Sequence, residues 1–341
     1  MKDIFLFEPY ISDYMIFCAE ETMHSTFVGQ GPKVKELELL FSEMFHYKYP
    51  VSVNSGTTAL ELIYDLIGLG RGDEVISPVF TCTATNIPLV RRGVKIVFAD
   101  ITRNLTIDQK DVLNKITSRT KAIVNVHLYG KLSKLEKMPV TTVGDCAQYL
   151  GWTHADYNAY SFQATKWFTS GDGGILTTPN KSTYKRAKLL RWYGIDREAG
   201  KPNIDVDIKE AGYKYHMNDI VASMVGAGLR HLETIESARN ILESNYFDKL
   251  VNVPGIDPRG GRGPFLAIVD KRDRFIKKLK EAGVEAGLVH RRNDRYTVFG
   301  GKRLDLPTMN ELENKYVFLP LHLGVTVDDV ERICDVIKKG W

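Results

Sequence analysis

The chain has 341 residues, 43% of them hydrophobic and 26% charged, enough for one large domain and a smaller second one, each with its own core. Its formal charge of +4 is spread over interspersed lysines, arginines and acids, which argues against nucleic acid as a partner and suits a small anionic substrate. Cys18, Cys82, Cys146 and Cys334 form neither a CxxC pair nor a zinc quartet, and no apolar run reaches membrane-spanning length, so free thiols in a cytoplasmic protein are expected.

From residue 50 onward short apolar strands alternate with helical patterns, the signature of an α/β domain built on a mainly parallel sheet flanked by helices. Val51 to Val53 leads into a helix over 57–67, where Ala59, Leu60, Ile63, Leu66 and Ile67 share a face. Strands are predicted at 74–80, 94–101 and 121–129, separated by helices at 84–92 and 108–116, and a strand at 140–145 ends on an acid. Helical periodicity returns at 181–193, and 218–250 predicts one long helix or two in succession. The stretch 254–264 is dense in proline and glycine and opens a smaller α+β domain, with strands at 265–269 and 316–321 and helices at 272–282 and 328–338. The expected division is a large domain over 1–240 and a small C-terminal one over 241–341, with the first residues free to pack on the small domain.

Three local patterns carry chemistry. Asn54-Ser55-Gly56-Thr57-Thr58 sits at a strand–helix junction, where free backbone amides and the helix dipole attract a phosphate; an ordinary N-cap accounts for the same residues. Val143-Gly144-Asp145-Cys146-Ala147-Gln148 places a carboxylate at the carboxyl end of an apolar strand, facing a ligand crevice or else capping the next helix. Gln148 by itself reads as solvent-exposed. Tyr160-Ser161-Phe162-Gln163-Ala164-Thr165-Lys166, closed by Gly171-Asp172-Gly173-Gly174, brings a serine and a lysine to a buried strand end. Together the three match what pyridoxal phosphate requires: amides and hydroxyls for the phosphate, a carboxylate for the ring nitrogen, a donor for the phenolic oxygen and a lysine amine for the aldehyde.

Further segments agree in order and spacing: Gly72-Asp73-Glu74-Val75-Ile76 with Pro78, Thr81, Ala84 and Thr85; Val126-His127-Leu128-Tyr129-Gly130; Gly212-Tyr213 with Tyr215 and Met217; and Leu319-Pro320-Leu321-His322. On all of these the chain resembles, over nearly its whole length, the pyridoxal-phosphate-dependent sugar aminotransferases of the DegT/StrS type, which have the aspartate aminotransferase fold, fold type I. The resemblance implies that Lys166 bonds to the cofactor aldehyde, that Asp145 pairs with the ring nitrogen and that Gln148 contacts the phenolic oxygen. Gly56, Thr57 and Ser161 would hold the phosphate. It also implies an amino-acid donor, glutamate in most of the family, and a keto sugar as acceptor. The expected acceptor is a nucleotide-linked 4-keto-6-deoxyhexose used in surface glycan biosynthesis. A homodimer with shared active sites is expected as well. Relatives with histidine at the lysine position act as dehydratases, which Lys166 argues against.

Three positions depart from the family pattern. The family usually has a stacking aromatic where Cys82 stands; the thiol either packs on the ring through its sulfur or is a small buried hydrophobe. Lys214 stands where asparagine is commoner and reaches the cofactor phosphate of the neighbouring subunit; the lysine either does so as a point charge or is solvated. His216 stands where arginine is commoner. The cluster His290-Arg291-Arg292-Asn293-Asp294-Arg295-Tyr296 reads either as a contact for an anionic substrate or as a solvated face. Gly29-Gln30-Gly31 either lines the substrate cleft or is a turn, and His127 and His322 read as structural. Two other functions stay open: an aminotransferase for a keto or aldehyde sugar without a nucleotide, and a non-enzymatic pyridoxal-phosphate-binding regulator.

Overall fold

Ahead of the first strand lie two helices that the sequence pattern does not announce, Asp13–His24 (α1) and Pro32–Phe45 (α2). They belong to a computed structural model that describes residues 3–199 and 205–341. Pro32 occupies the first turn of α2, where an N–H has no helical partner in any case. The remaining amides there are capped from across the fold: Gly31, Lys33 and Val34 donate to the Asp219 carboxylate at 2.7, 3.0 and 3.1 Å. Gly29 and Gln30 are thus part of the turn that leads into α2.

The next elements are Pro50–Val53 (β1), Gly56–Ile67 (α3), Glu74–Pro78 (β2), Thr83–Arg91 (α4), Lys95–Ala99 (β3), Gln109–Lys115 (α5) and Thr120–Val126 (β4). Thr141–Cys146 (β5), Tyr157–Ser161 (β6), Gly174–Thr177 (β7) and Lys181–Leu190 (α6) follow. Among the described residues the strands form one seven-stranded sheet in the order β1-β7-β6-β5-β4-β2-β3. It is parallel except that β7 runs antiparallel to both β1 and β6. β1, β2, β4, β5 and β7 are buried along their whole length or nearly so, as expected of strands covered on both faces.

The long helical segment resolves into two helices, Asp219–Arg230 (α7) and Leu232–Leu250 (α8), meeting at His231. α8 runs unbroken through residue 240 and buries Leu242, Tyr246 and Leu250 in a second core. That core covers Ile256–Gly260 (β8), Phe265–Val269 (β9), Arg272–Glu281 (α9), Tyr316–Leu319 (β10) and Val327–Lys338 (α11), while Pro307–Leu312 (α10) precedes β10. The strands β10-β9-β8 make a three-stranded antiparallel sheet. The proline- and glycine-rich stretch is therefore not only a connector, because it carries β8. As an edge strand, β8 leaves the missing N–H of Pro258 without consequence, and the register shifts between Pro258 and Gly260. At the amino terminus Ile4 pairs with Val284 beside this sheet.

Candidate active site

β1 is parallel to β6 because each is antiparallel to β7, so the carboxyl ends of β1, β2, β4, β5 and β6 share one edge of the large sheet. Ligands bind at that edge in such sheets. A cavity of about 510 Å³ opens there, lined among others by Gly56, Thr57, Cys82, Asp145, Gln148, Ser161 and Lys166. A larger cavity of about 700 Å³ lies by Asn125 and Thr142, on the face opposite to Asp145, since Gly144 pairs with Asn125 and Asp145 with Val126.

Ser55 starts α3 with a reciprocal cap: its hydroxyl accepts from the Thr58 amide and its own amide donates to the Thr58 hydroxyl, both at 3.2 Å. Capping occupies Ser55 and Thr58 and leaves the amides of Gly56 and Thr57 in the first turn without a helix carbonyl. Gly56 has to be a glycine. A Cβ there would lie 2.7 Å from the Ser161 Cβ and 3.3 Å from the Tyr160 carbonyl, so the bare backbone lets the end of β6 come up against the helix start. For Gly56→Ala we expect a loss of roughly 1–3 kcal/mol of stability from overpacking together with weaker cofactor binding, read by denaturant unfolding and by titration of the apoprotein.

Asp145, at the end of β5, is 4% exposed. Its two oxygens accept from the Thr85 hydroxyl at 2.7 Å and from the Ala147 amide at 3.1 Å, and Thr85 is itself held by Thr81. Burial raises its pKa, against the pull of Thr85, Ala147 and the Lys166 charge. Among the described residues no salt bridge reaches it. Lys166 follows a turn in which its amide donates to the Gln163 carbonyl. Burial lowers the pKa of its amine, with Asp145 and Cys82 pulling the other way. Gln148 is held by the Tyr129 amide, which donates to its Oε1 at 3.1 Å, and by the His290 ring 2.8 Å away, so it is not a solvent-exposed side chain.

These residues fit pyridoxal phosphate. The amides of Gly56 and Thr57 and the Ser161 hydroxyl form an anion cradle that a Cβ at position 56 would fill. The buried carboxylate of Asp145 lacks the counter-charge that a protonated ring nitrogen brings. Lys166 offers an amine whose lone pair burial helps to free.

Cys82 caps α4 without a side-chain hydrogen bond and lines the cavity, half-buried. Lys214 is exposed and lies outside the cavity of its own chain, bridged to Trp192 and next to Asn54, whose side chain donates to its carbonyl. His216 packs its ring on Trp192 at 3.7 Å between centroids.

The cluster at 290–296 divides. Arg292 is fully buried and is no substrate contact: it donates to Asp294 at 2.6 and 2.7 Å, to Asn310 at 2.6 Å, to Glu313 at 3.2 Å and to the Arg303 carbonyl at 3.0 Å. Its removal would leave the fully buried Asp294 carboxylate without a cation, while Glu313 would keep Lys302 and Arg295. Arg292→Ala should therefore cost about 3–5 kcal/mol in denaturant unfolding. His290 does enter the cavity, as do Phe7 from the amino-terminal segment and Val289. Neither Phe7 nor the partnership of Thr85 with Asp145 has a local signal in the sequence. His127 is buried and accepts the Ser133 amide through Nδ1, and His322 receives the Gly324 amide, so both have structural contacts.

The model of the DegT/DnrJ/EryC1/StrS aminotransferase family matches residues 11–338. The UDP-4-amino-4-deoxy-L-arabinose–oxoglutarate aminotransferase of Shewanella sediminis is 28% identical, over 97% or more of both chains. Among solved structures, AtS13 from Actinomadura melliaura is 33% identical over the whole of both chains, with a TM-score of 0.91. The sugar aminotransferase Spr1654 from Streptococcus pneumoniae, described as putative and solved with pyridoxal phosphate, is 25% identical over 99% of this chain and 98% of its own, with a TM-score of 0.90. With the whole chain matched and the cradle, acid and lysine at one cavity, the chain belongs to the DegT/DnrJ/EryC1/StrS aminotransferase family and is a pyridoxal-phosphate-dependent sugar aminotransferase.

Proposed function

We propose that the enzyme moves the amino group of glutamate to a nucleotide-linked 4-keto-6-deoxyhexose for surface glycan biosynthesis. The observation that carries the reading is the meeting of the Lys166 amine, the Asp145 carboxylate and the Gly56–Ser161 cradle at one cavity. The nucleotide is supported by the relative named for a UDP-linked amino sugar.

In this reading Gly56, Thr57 and Ser161 bind the cofactor phosphate with the dipole of α3 behind it. Asp145 keeps a negative charge beside the ring nitrogen, and Gln148 donates to the phenolic oxygen. When bound, pyridoxal phosphate supplies an electron sink for the carbon that loses its proton. Lys166 Nζ is the base: with its pKa lowered by burial, it takes the carbon-bound proton of the substrate and later returns it. Phe7, Leu60 and Val289 line the cavity with apolar surface and keep water from the reacting carbon. Cys82 would stand at the face of the ring, and Lys214 would extend to the cofactor phosphate of a second subunit in a homodimer.

The test is a panel of keto sugars, nucleotide-linked and free, offered with glutamate and other amino acids. Amino-sugar products are read by mass spectrometry and the 2-oxo acid by a coupled assay. Glutamate and a nucleotide-linked 4-keto-6-deoxyhexose should give both products. Turnover confined to sugars without a nucleotide, or to another donor, would sink the corresponding half of the proposal.

A further inference from the structure

Gln148 lies two residues beyond β5, and its side chain is gripped from two distant parts of the fold. A backbone N–H can only donate, so the contact with Tyr129 at 3.1 Å fixes Oε1 on that side and turns the amide NH₂ toward His290. An amide nitrogen offers no lone pair. In the 2.8 Å contact between Gln148 Nε2 and His290 Nε2 the imidazole must therefore accept, which places its own proton on Nδ1. One N–H of Gln148 is used in this way and the other is left.

The loop that delivers His290 is pinned to the large sheet. Asn293 donates through its amide to the Val79 carbonyl and through its side chain to the Thr81 carbonyl, both at 2.7 Å, and Asn86 donates to Asn293 Oδ1 at 2.9 Å. The Tyr316 hydroxyl donates to the His290 carbonyl at 3.1 Å, and Phe80 packs against the imidazole with centroids 6.2 Å apart. Burial first, and the nearby Lys166 charge second, hold the imidazole pKa down to about 4, which keeps the ring neutral and able to accept.

We propose that His290 is a positioning residue for the cofactor's phenolic oxygen: by accepting one N–H of Gln148, it fixes the amide so that the second N–H is presented into the cavity. This rests on the assignment of Gln148 to that oxygen in the function proposed above. Without the imidazole the amide is held on its oxygen side alone and is free to rotate, so the donor spends less time on the phenolic oxygen. A donor there stabilises the deprotonated, charged form of the oxygen, and its loss raises the pH at which the bound cofactor gives up its proton.

The experiment compares His290→Ala, His290→Gln, Gln148→Ala and the double variant His290→Ala/Gln148→Ala. Two quantities are read without substrate: the affinity of apoprotein for pyridoxal phosphate, and the pH midpoint of the visible absorbance of the loaded protein. For His290→Ala a roughly 3- to 10-fold loss of affinity and an upward midpoint shift of roughly half a unit are expected. In His290→Gln the side-chain carbonyl replaces the accepting nitrogen and should restore affinity to within about twofold. The double variant should be no worse than Gln148→Ala, because both act through one contact. If Gln148→Ala shifts both readouts while His290→Ala shifts neither, the positioning role is overturned and the assignment of Gln148 stands. Parental values in Gln148→Ala overturn both. Additive losses, or a His290→Gln protein as impaired as His290→Ala, also overturn the proposal. Thermal unfolding of each apoprotein checks the fold, and His290→Leu takes the place of His290→Ala should that variant not fold.

Discussion

Lys166→Ala is expected to remove amino transfer, leaving a rate below about 10⁻⁴ of the parent. Two functions sit on one atom in the proposed mechanism, the covalent hold on the cofactor and the movement of the substrate's proton, and a positioned base alone contributes about 10²–10⁴. The fold should survive the change. The turn at 163–166 is closed by backbone, with the amide of residue 166 donating to the Gln163 carbonyl at 2.9 Å, and no salt bridge depends on the amine among the described residues. Truncation also removes an amine that burial disfavours in its charged form. Steady-state assay gives the rate, and borohydride treatment followed by peptide mass spectrometry shows whether the cofactor is attached. In the parent the cofactor mass belongs on the peptide that contains residue 166, and in the variant on none. Parental turnover in the variant would remove Lys166 from the chemistry.

The parts of this site that can be read from the sequence are those built by a few consecutive residues. Asp145 and Ser161 sit at the ends of strands, and Gly56 and Lys166 come within a few residues of one, so the apolar run that predicts the strand also predicts where its end delivers them. The alternation of strands and helices from residue 50 onward is legible for the same reason. His290 is different. It meets Gln148 across 142 residues, and what places it is the docking of Asn293 on the end of β2, a contact with no local pattern. Arg292 looks like part of a solvated charge run because one of its carboxylates, on Glu313, lies 21 residues away; the other, on Asp294, is in plain sight two residues on. Among the helices, α1 escapes notice because Tyr14, Ile16, Phe17 and Met23 are all exposed, which leaves no one-sided apolar stripe. The strand β8 hides behind Pro258 and Gly260, residues that an edge strand tolerates and an inner strand does not.

Asp145→Asn should fold as the parent does and lose about 10²–10³ in rate, the scale of removing one fixed electrostatic partner from a desolvated site. Its hydrogen bonds can be kept by reversing a network already present. The Ala147 amide still finds an oxygen acceptor, and the Thr85 hydroxyl, now accepting from the new NH₂ group, can donate instead to Thr81, from which it lies 2.8 Å. What cannot be kept is the charge. Burial raises the Asp145 pKa, which puts the carboxylate form at a disadvantage, and a cation on the ring nitrogen is the partner that would offset this cost. An amide gives that cation no charge, so the ring loses its proton more readily and accepts electrons less well. Circular dichroism and thermal unfolding test the first half of the expectation, and kcat with a saturating donor tests the second. A variant with the parental rate would mean that another acid meets the ring nitrogen; a variant that does not fold would mean that the Thr81–Thr85–Asp145 chain needs the carboxylate for the structure itself.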